Sequence, residues 1–207
     1  MDDTPLRFAL SAPSSSDRLQ SALAAGTRPD PSYVDALIER CAVEPDFYVR
    51  DMLTWALLRH PAELTVPRLV DEIRTHDGQA RSQALHSLSK IGDASAWPVI
   101  TPELLTDPDD EVARTAWRAA VVLAPDDRRA WVAGVLATQL ARGGRDVQLS
   151  LSRSLAALGT AAEQALTDAR AHPDRNVRAH AIATQRQIID PDEGFDAALY
   201  EARRIAD

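Results

Sequence analysis

The string His172-Pro-Asp-Arg-Asn-Val-Arg-Ala-His-Ala181 decides the fold of this chain, because it describes a turn, a helix cap and the start of an amphipathic helix. Degenerate copies of it begin at Asp46, Asp77, Asp109 and Arg145. An anchor residue opens each copy's helix, and the anchors are 31, 32, 35 and 30 residues apart: Val49, Ala80, Val112, Val147 and Val177. This spacing is typical of a repeat array, in which each repeat is one supersecondary unit.

Each repeat carries one apolar helix face. The anchor and the positions 4, 8 and 11 residues after it lie on one stripe of an α-helix. These later positions are mostly apolar: Leu53, Leu57, Ala84, Leu88, Ile91, Ala116, Ala120, Leu123, Leu151, Leu155, Leu158, Ala181 and Ile188. We predict that the stripe is buried against neighbouring helices. The exceptions are His60 and Gln185, and Gln185 falls in the last repeat, where a polar outer face is expected.

The helices follow from this pattern and from the positions of proline and glycine. The motif helices are predicted over 46–60, 77–91, 109–124, 145–158 and 174–189. Second helices are predicted over about 63–75, 96–106, 127–141, 161–171 and 194–206. A further pair precedes them at 17–43, and its first helix is predicted to end at Gly26.

The N-terminal stretch, residues 1–15, is predicted to be a flexible tail because little of it can be buried cooperatively. The alternative is that Leu6, Phe8 and Leu10 lie over the first helix. Residues 16–207 are predicted to form a single solenoid domain of about six helix pairs. The reason is that one helix pair cannot bury its apolar face alone, whereas stacked pairs bury each other's.

The pattern Asp-x-x-Val-Arg-x-x-Ala at 174–181, with degenerate copies at 46–53, 77–84 and 109–116, resembles HEAT repeats. It is most similar to the short variety also found in the phycobilisome-lyase family. The resemblance covers about 44–207 and implies an all-α fold, a right-handed α-α superhelix or HEAT-like solenoid. Ala113 and Gln148 stand where the pattern has arginine, so we expect an incomplete Asp-to-Arg ladder in the middle repeats.

Composition excludes several classes of protein. The 31 acidic residues outnumber the 23 basic ones, and the net charge of -8 argues against non-specific binding to nucleic acid or to an anionic membrane. Cys41 is the only cysteine, which rules out an intrachain disulfide. The sequence shows no signal peptide and no apolar run of the ~20 residues that span a bilayer. We therefore expect a cytoplasmic protein.

No motif for catalysis, phosphate binding or metal binding is present. The histidines at 60, 76, 86, 172 and 180 include no pair three or four residues apart, as a helical metal site needs. The acidic runs at 107–111 and 190–193 lack the spacing of a calcium loop, and acids at helix starts favour capping. The sequence therefore predicts no cofactor and no metal, and it favours a non-enzymatic function without excluding an enzyme.

Charge is segregated along the motif helices. They hold 11 basic and 8 acidic residues, and seven of those acids lie in first turns, which leaves the helix bodies basic. Because the motif helix of HEAT-like arrays usually lines the concave side, the resemblance implies a basic groove. We call the predicted set the basic row: Trp55, Arg59, His86, Lys90, Arg114, Arg118, Arg153, His180 and Arg186.

Two interpretations of the basic row remain open. One is a solvated face whose arginines pair with neighbouring acids, and the other is a groove that binds a protein partner. Trp and Arg most often dominate protein interfaces, so Trp55 would be the anchor and an acidic peptide or protein the natural ligand. The predicted function is a protein–protein interaction scaffold, acting as a monomer or weak homo-oligomer.

The alternative function is a HEAT-like nucleic-acid-binding protein or an alkylated-base DNA glycosylase. Such glycosylases use a basic groove with tryptophans and an aspartate, and the chain offers tryptophans at 55, 97, 117 and 131. No acid stands four residues after any of them, and the overall acidity is wrong for a protein that contacts several phosphates. A chromophore lyase, suggested only by the repeat subtype, would need a pigment pocket that no residue pattern marks.

Overall fold

The computed structural model describes residues 3–76 and 78–206. Within those residues the chain forms 13 α-helices and two 3-10 segments and no β-strand, which confirms the all-α prediction. None of the described helices combines the length and the apolar character needed to cross a membrane. Asp77, which opens one of the predicted motif copies, lies outside the described residues.

The helices group into two compact units, whereas the sequence predicted one domain over 16–207. The first unit spans Met1–Val99 and the second spans Ile100–Asp207. We describe each unit by itself.

The first unit contains six α-helices and a closing 3-10 segment, in this order: α1 (Thr4–Leu10), α2 (Ser15–Thr27), α3 (Tyr33–Val43), α4 (Phe47–Leu57), α5 (Ala62–Thr75), α6 (Gly78–Ile91) and the 3-10 segment Ala94–Val99. Helix α3 is central and packs against α1, α4, α5 and α6. It buries Val34, Leu37, Ile38 and Cys41, so the single cysteine is a core residue.

The second unit contains the remaining helices, in this order: α7 (Pro102–Leu105), α8 (Asp110–Leu123), α9 (Asp126–Ala137), α10 (Arg145–Ala157), the 3-10 segment Gly159–Ala162, α11 (Glu163–Ala169), α12 (Arg175–Ile189) and α13 (Phe195–Ile205). The motif helices α8, α10 and α12 pack side by side, and the second helices α7, α9 and α11 form another row. Trp117 is fully buried between them, and its Nε1 donates a hydrogen bond to the Leu105 carbonyl at 2.8 Å.

The apolar stripe predicted from the repeat is buried. Its positions 4 and 8 are closed to solvent in the four motif helices before α12. In α12 the anchor Val177 and the polar Gln185 are half-buried and Ile188 is exposed, as expected at the last repeat of an array. His60, the other exception, is buried at the end of its helix, where its ring nitrogens contact the carbonyls of Ala56 and Asp30.

The N-terminal stretch differs from the predicted tail, whose first two residues lie outside the described part of the chain. Residues 4–10 form helix α1, which packs against α2 and α3. Leu10 is buried and Leu6 half-buried, while Phe8 is exposed, so the alternative prediction holds for two of its three residues. Arg7 fixes the helix from outside by pairing with Asp3 and Glu39.

The second helix predicted over 96–106 is also different. It is split into the 3-10 segment Ala94–Val99 and the short helix α7. Pro98 lies inside the 3-10 segment and Pro102 opens α7, and a proline ring cannot donate the backbone hydrogen bond that a continuous helix requires. Two prolines four residues apart therefore interrupt the helix.

Acidic side chains cap three of the motif helices, whereas α10 begins without a side-chain cap. Asp46 accepts hydrogen bonds from two amides at the start of α4, Asp109 does the same for α8, and Asp174 caps α12 through the amide of Asn176. In the two acidic runs, Asp107 accepts from the amide of Asp109, and the aspartate at 190 accepts from the amide two residues later. Caps of this kind stabilise a helix by about 0.5–2 kcal/mol each.

The arginine that follows the anchor in the repeat pattern clamps the preceding turn. Arg50 Nη1 donates to the two carbonyl oxygens five and six residues upstream, and Arg178 does the same in the last repeat. Where the pattern lacks this arginine, other side chains replace it. Gln148 donates to the carbonyl five residues upstream, and Arg142, from the α9–α10 connection, donates to the carbonyl of Asp107. The turns in these repeats are therefore still held by side-chain hydrogen bonds, although the sequence lacks the arginine of the repeat pattern there.

A buried carboxylate organises the first unit. Glu44 has no solvent exposure, and its oxygens accept hydrogen bonds from Arg18 at 2.8 Å and from Arg40 at 2.8 Å. The amide of Asp46 donates to the same carboxylate, and Gln79 donates to the Glu44 carbonyl. Burial alone would raise the pKa of Glu44, but these donors outweigh it and bring the pKa down to about 2.

Candidate functional site

The first unit's share of the basic row begins with Trp55, whose side chain is 37% exposed. The ring is seated on Gly26 of α2, where an added Cβ would lie 2.3 Å from Trp55 Cζ3. Gly26 thus lies inside α2 under the ring, one residue before the helix ends, and does not terminate it as predicted. The guanidinium carbon of Arg59 lies 5.9 Å from the Trp55 ring centroid, which is cation–π range. Trp55 is therefore a partly exposed aromatic ring in a fixed position.

The other members in this unit lie on α6. Lys90 is exposed in the last turn of the helix, and His86 is half-buried one turn earlier. Both follow the prediction that residues off the apolar stripe reach the surface.

In the second unit, Arg118 on α8 and Arg153 on α10 are exposed, and neither has an ion-pair partner among the residues that the structure describes. Arg118 donates only to Thr115 Oγ1, at 3.1 Å. Partial burial, and then the charge of the neighbouring Arg114, lowers the pKa of Arg118 below its ordinary value. Arg114 pairs with Glu111, yet its Nε is buried with no hydrogen-bond partner. These two guanidinium groups carry positive charge that the protein leaves only partly compensated.

Arg186 lies at the end of α12 and is already neutralised. It makes a two-pronged contact with Glu193, with nitrogen–oxygen distances from 2.6 to 3.1 Å. For this residue the solvated, ion-paired interpretation fits better than that of a free binding group.

His180 is the member of the basic row that does not lie on the surface. It is 1% exposed and lies between α10 and α12, with the ring of Phe195 against it at a centroid distance of 5.8 Å. Burial lowers the pKa of His180 to about 4, so the ring is neutral at physiological pH. Its prediction as a groove residue is therefore wrong, because Phe195 at the start of α13 and residues of α10 cover this position.

The hydrogen bonds of His180 fix its tautomer. Nδ1 accepts from the amide of Ala141 at 2.9 Å, so Nε2 carries the proton and points at Ser152 Oγ, 3.0 Å away, and at the Gln148 carbonyl. Ser152 also contacts Thr184 Oγ1 at 2.8 Å, and Thr184 donates to the His180 carbonyl. Since Nε2 already holds a proton, this serine–histidine pair cannot act as a nucleophile with its base.

One of the tryptophans considered for a base-binding groove lies in the core. Trp117 is a core residue and cannot serve as a wall of a base-binding groove. No cluster of three or more histidine, cysteine or carboxylate side chains suited to a metal occurs within residues 3–76 and 78–206.

A depression that the sequence did not indicate lies beside Arg153 in the second unit. It has a volume of about 420 Å³ and is bounded by α10 on one side and by the α12–α13 connection on the other. Leu149 and Ala156 contribute apolar surface from α10, and Phe195 contributes it from the opposite side. The helical spacing of 149, 153 and 156 was visible in the sequence, but the opposite wall depends on tertiary packing.

The helical hairpins, the capped motif helices and the hydrogen-bonded turns define an all-helical repeat protein. Residues 34–122 match the family HEAT_2, described as HEAT repeats. This match covers less than half of the chain, and it confirms the resemblance to HEAT repeats found in the sequence.

Two solved structures share the fold. An engineered protein is 20% identical with a TM-score of 0.51, and the similarity covers 100% of this chain and 98% of that chain. A chain from the complex of CpcE and CpcF of phycocyanin lyase from Nostoc sp. PCC7120 is 20% identical with a TM-score of 0.50, and the similarity covers 91% of this chain and 77% of that chain. No curated protein matches the sequence. At this identity the likeness shows the fold alone.

Proposed function

We propose that this protein is a non-enzymatic interaction scaffold that binds an acidic peptide or protein segment through the exposed basic residues of its motif helices. The observation that carries the proposal is Arg118. It is a partly desolvated guanidinium beside a second one, Arg114, and has no carboxylate partner among the described residues. A carboxylate from a partner would offset the cost of desolvation through a charge-assisted hydrogen bond and would reduce the repulsion between the two guanidinium groups.

The proposed binding set is smaller than the predicted basic row. It keeps Trp55 and Arg59 with the other first-unit members on α6, and it keeps Arg114, Arg118 and Arg153 in the second unit. His180 is excluded by burial, and Arg186 by its ion pair with Glu193. The solved complex of CpcE and CpcF supports a protein as partner, since a chain of similar fold is there bound to another protein.

The test is selection of peptides from a random displayed library by the purified full chain, followed by affinity measurements. We expect acidic peptides to be enriched, and we expect the double variant Arg118→Glu, Arg153→Glu to bind them at least ~10-fold more weakly. The control pair is Arg28→Glu, Arg128→Glu, which gives the same net charge from exposed positions outside the motif helices. Both pairs should keep the melting temperature nearly unchanged, since surface substitutions usually change stability by about 0.5 kcal/mol or less.

Equal weakening by both pairs, or none by the first, would overturn the proposal. The nucleic-acid alternative is separated by a gel shift with duplex DNA at low and moderate salt, combined with an assay for release of alkylated bases. A shift that weakens steeply with salt would replace the acidic peptide by a phosphate backbone as the ligand.

A further inference from the structure

The depression beside Arg153 is a half-open hollow in the surface of the second unit. Its volume of about 420 Å³ falls in the range of small-ligand sites. Two ion pairs hold its walls, one between Arg145 and Asp196 and the other between Arg186 and Glu193. The buried contact of Ser152 with His180 fastens α10 to α12 beneath it.

The surface of the depression combines an apolar part with a single available cation. The half-buried Leu149 and Ala156 supply carbon surface, and the nearly buried Phe195 closes the opposite side, where its edge contact with the ring of His180 fixes it. Arg153 is exposed and has no ion-pair partner in the described part of the chain. The depression can therefore accept an apolar side chain of a ligand on its carbon surface and an anionic group of the same ligand at Arg153.

The remaining charges limit the ligand to one carboxylate. Glu193, on the opposite wall, is neutralised by Arg186, and Arg145 is occupied by Asp196. Asp192 also lines the depression and would repel a second negative charge. A polyphosphate or a nucleic-acid backbone is disfavoured there, whereas an isolated carboxylate fits Arg153.

We propose that this depression receives an apolar side chain of the partner, while an adjacent aspartate or glutamate of the same segment pairs with Arg153. This inference rests on the proposed function, because it places the binding site of the acidic segment in the second unit. The segment it predicts is a short one, with one leucine- or phenylalanine-like residue next to one acidic residue.

The probe is N-acetyl-leucyl-glutamate amide, titrated into the isotope-labelled full chain and followed by amide NMR shifts. We expect saturable shifts at Leu149, Ala156 and Phe195. Arg153→Gln, which removes the charge, and Ala156→Phe, which fills the cavity, should each raise the dissociation constant at least ~10-fold. Arg128→Gln on α9 is the matched control and should leave the constant unchanged. N-acetyl-leucyl-glutamine amide should bind as weakly to the unsubstituted chain as the acidic probe binds to Arg153→Gln.

The outcomes separate the two proposals. If library-selected acidic peptides bind but the dipeptide shifts lie elsewhere, or if Arg153→Gln has no effect on the dipeptide, the depression is not the seat and the scaffold function survives. If the library yields no acidic peptide, the scaffold function itself fails. Should Ala156→Phe unfold the chain, the exposed Arg153→Gln variant still decides the matter.

Discussion

The two units stabilise their interiors around buried polar centres of opposite electrostatic kinds. In the first unit the centre is a carboxylate, Glu44, which is held by the guanidinium groups of Arg18 and Arg40. In the second unit it is a neutral imidazole, His180, which is held by an amide, a hydroxyl and a carbonyl. Each centre joins residues from neighbouring repeats, which are 26 residues apart for Arg18 and Glu44 and 28 apart for Ser152 and His180.

The two centres differ in position as well as in charge, since Glu44 precedes the motif helix α4 whereas His180 lies within the motif helix α12. A buried charge must be matched by opposite charges, and removing one partner leaves the others uncompensated. A buried neutral ring needs only hydrogen bonds, but its contribution to stability is lost when the ring acquires a proton, because the charge is then buried without a counter-ion. The first centre should therefore be sensitive to the loss of one partner, and the second to mild acid, between pH 6.5 and about 4, where the Glu44 carboxylate with its pKa of about 2 stays ionised in the fold.

The largest expected effect is that of Glu44→Gln. The substitution leaves the buried guanidinium group of Arg18 and the half-buried one of Arg40 without their counter-ion, and we expect a loss of about 3–5 kcal/mol in the free energy of unfolding. Urea denaturation followed by circular dichroism measures it. The matched control is Glu39→Gln, whose side chain is 60% exposed in its pair with Arg7 and should cost about 1 kcal/mol or less. Similar losses for the two variants would contradict the contrast between charged and neutral centres.

The acid response of the second unit should come next in size. Burial holds the pKa of folded His180 at about 4, below the unfolded value of 6.5, so the unfolded chain takes up the proton first as the pH falls. Stability from this group is complete above pH 6.5 and declines as the pH falls from there to about 4, by about 3 kcal/mol in all. Denaturation midpoints measured at several values of pH between 7 and 4.5 would show this slope.

Two variants assign the slope to its residue. His180→Gln offers an acceptor and a donor without a titrating proton and should flatten the pH dependence. His172→Gln, at an exposed position just before α12, should leave it as in the unsubstituted protein. An unaltered slope in His180→Gln would mean that the second centre is not acid-sensitive.

The smallest effect concerns a pair of glycines, one in each unit. Gly26→Ala should displace the Trp55 ring and cost about 1–3 kcal/mol through overpacking. Gly134→Ala, on α9, meets open space and should stabilise by about 0.4–1 kcal/mol, since alanine favours a helix. Thermal denaturation shows whether each variant lowers or raises the melting temperature. Only Gly26→Ala should also shift the tryptophan emission. Stabilisation by Gly26→Ala would show that Trp55 is not seated as described.

The sequence predicted those features that depend on local periodicity. Residues at the stripe positions, such as Leu53 and Leu155, had to be buried because a helix pair has no other way to cover its apolar face. Six residues after the anchor the helix points away from that stripe, so the exposure of Trp55, Arg118 and Arg153 follows from the same geometry.

Features that depend on the next repeat's packing were not predictable in this way. Glu44 precedes Pro45 and looked like the end of a helix, and only the approach of α2 brings Arg18 to it. His180 looked like a rim residue because its spacing from Val177 is that of a flanking position. The chain after α12, through Phe195, closes over it, and periodicity carries no information about that closure.

Arg142 also limits how freely such repeats can be exchanged. It sits in the connection before α10, yet its guanidinium serves the turn before α8 through the Asp107 carbonyl and also pairs with Asp110. If the helical hairpin that begins with α8 were excised at its sequence boundaries, Arg142 could remain in the adjacent repeat and the turn before α8 would lose its hydrogen bond. Deleting or transplanting a single repeat here would therefore disturb two repeats. A design that exchanges repeats would have to include Arg142 together with the turn before α8.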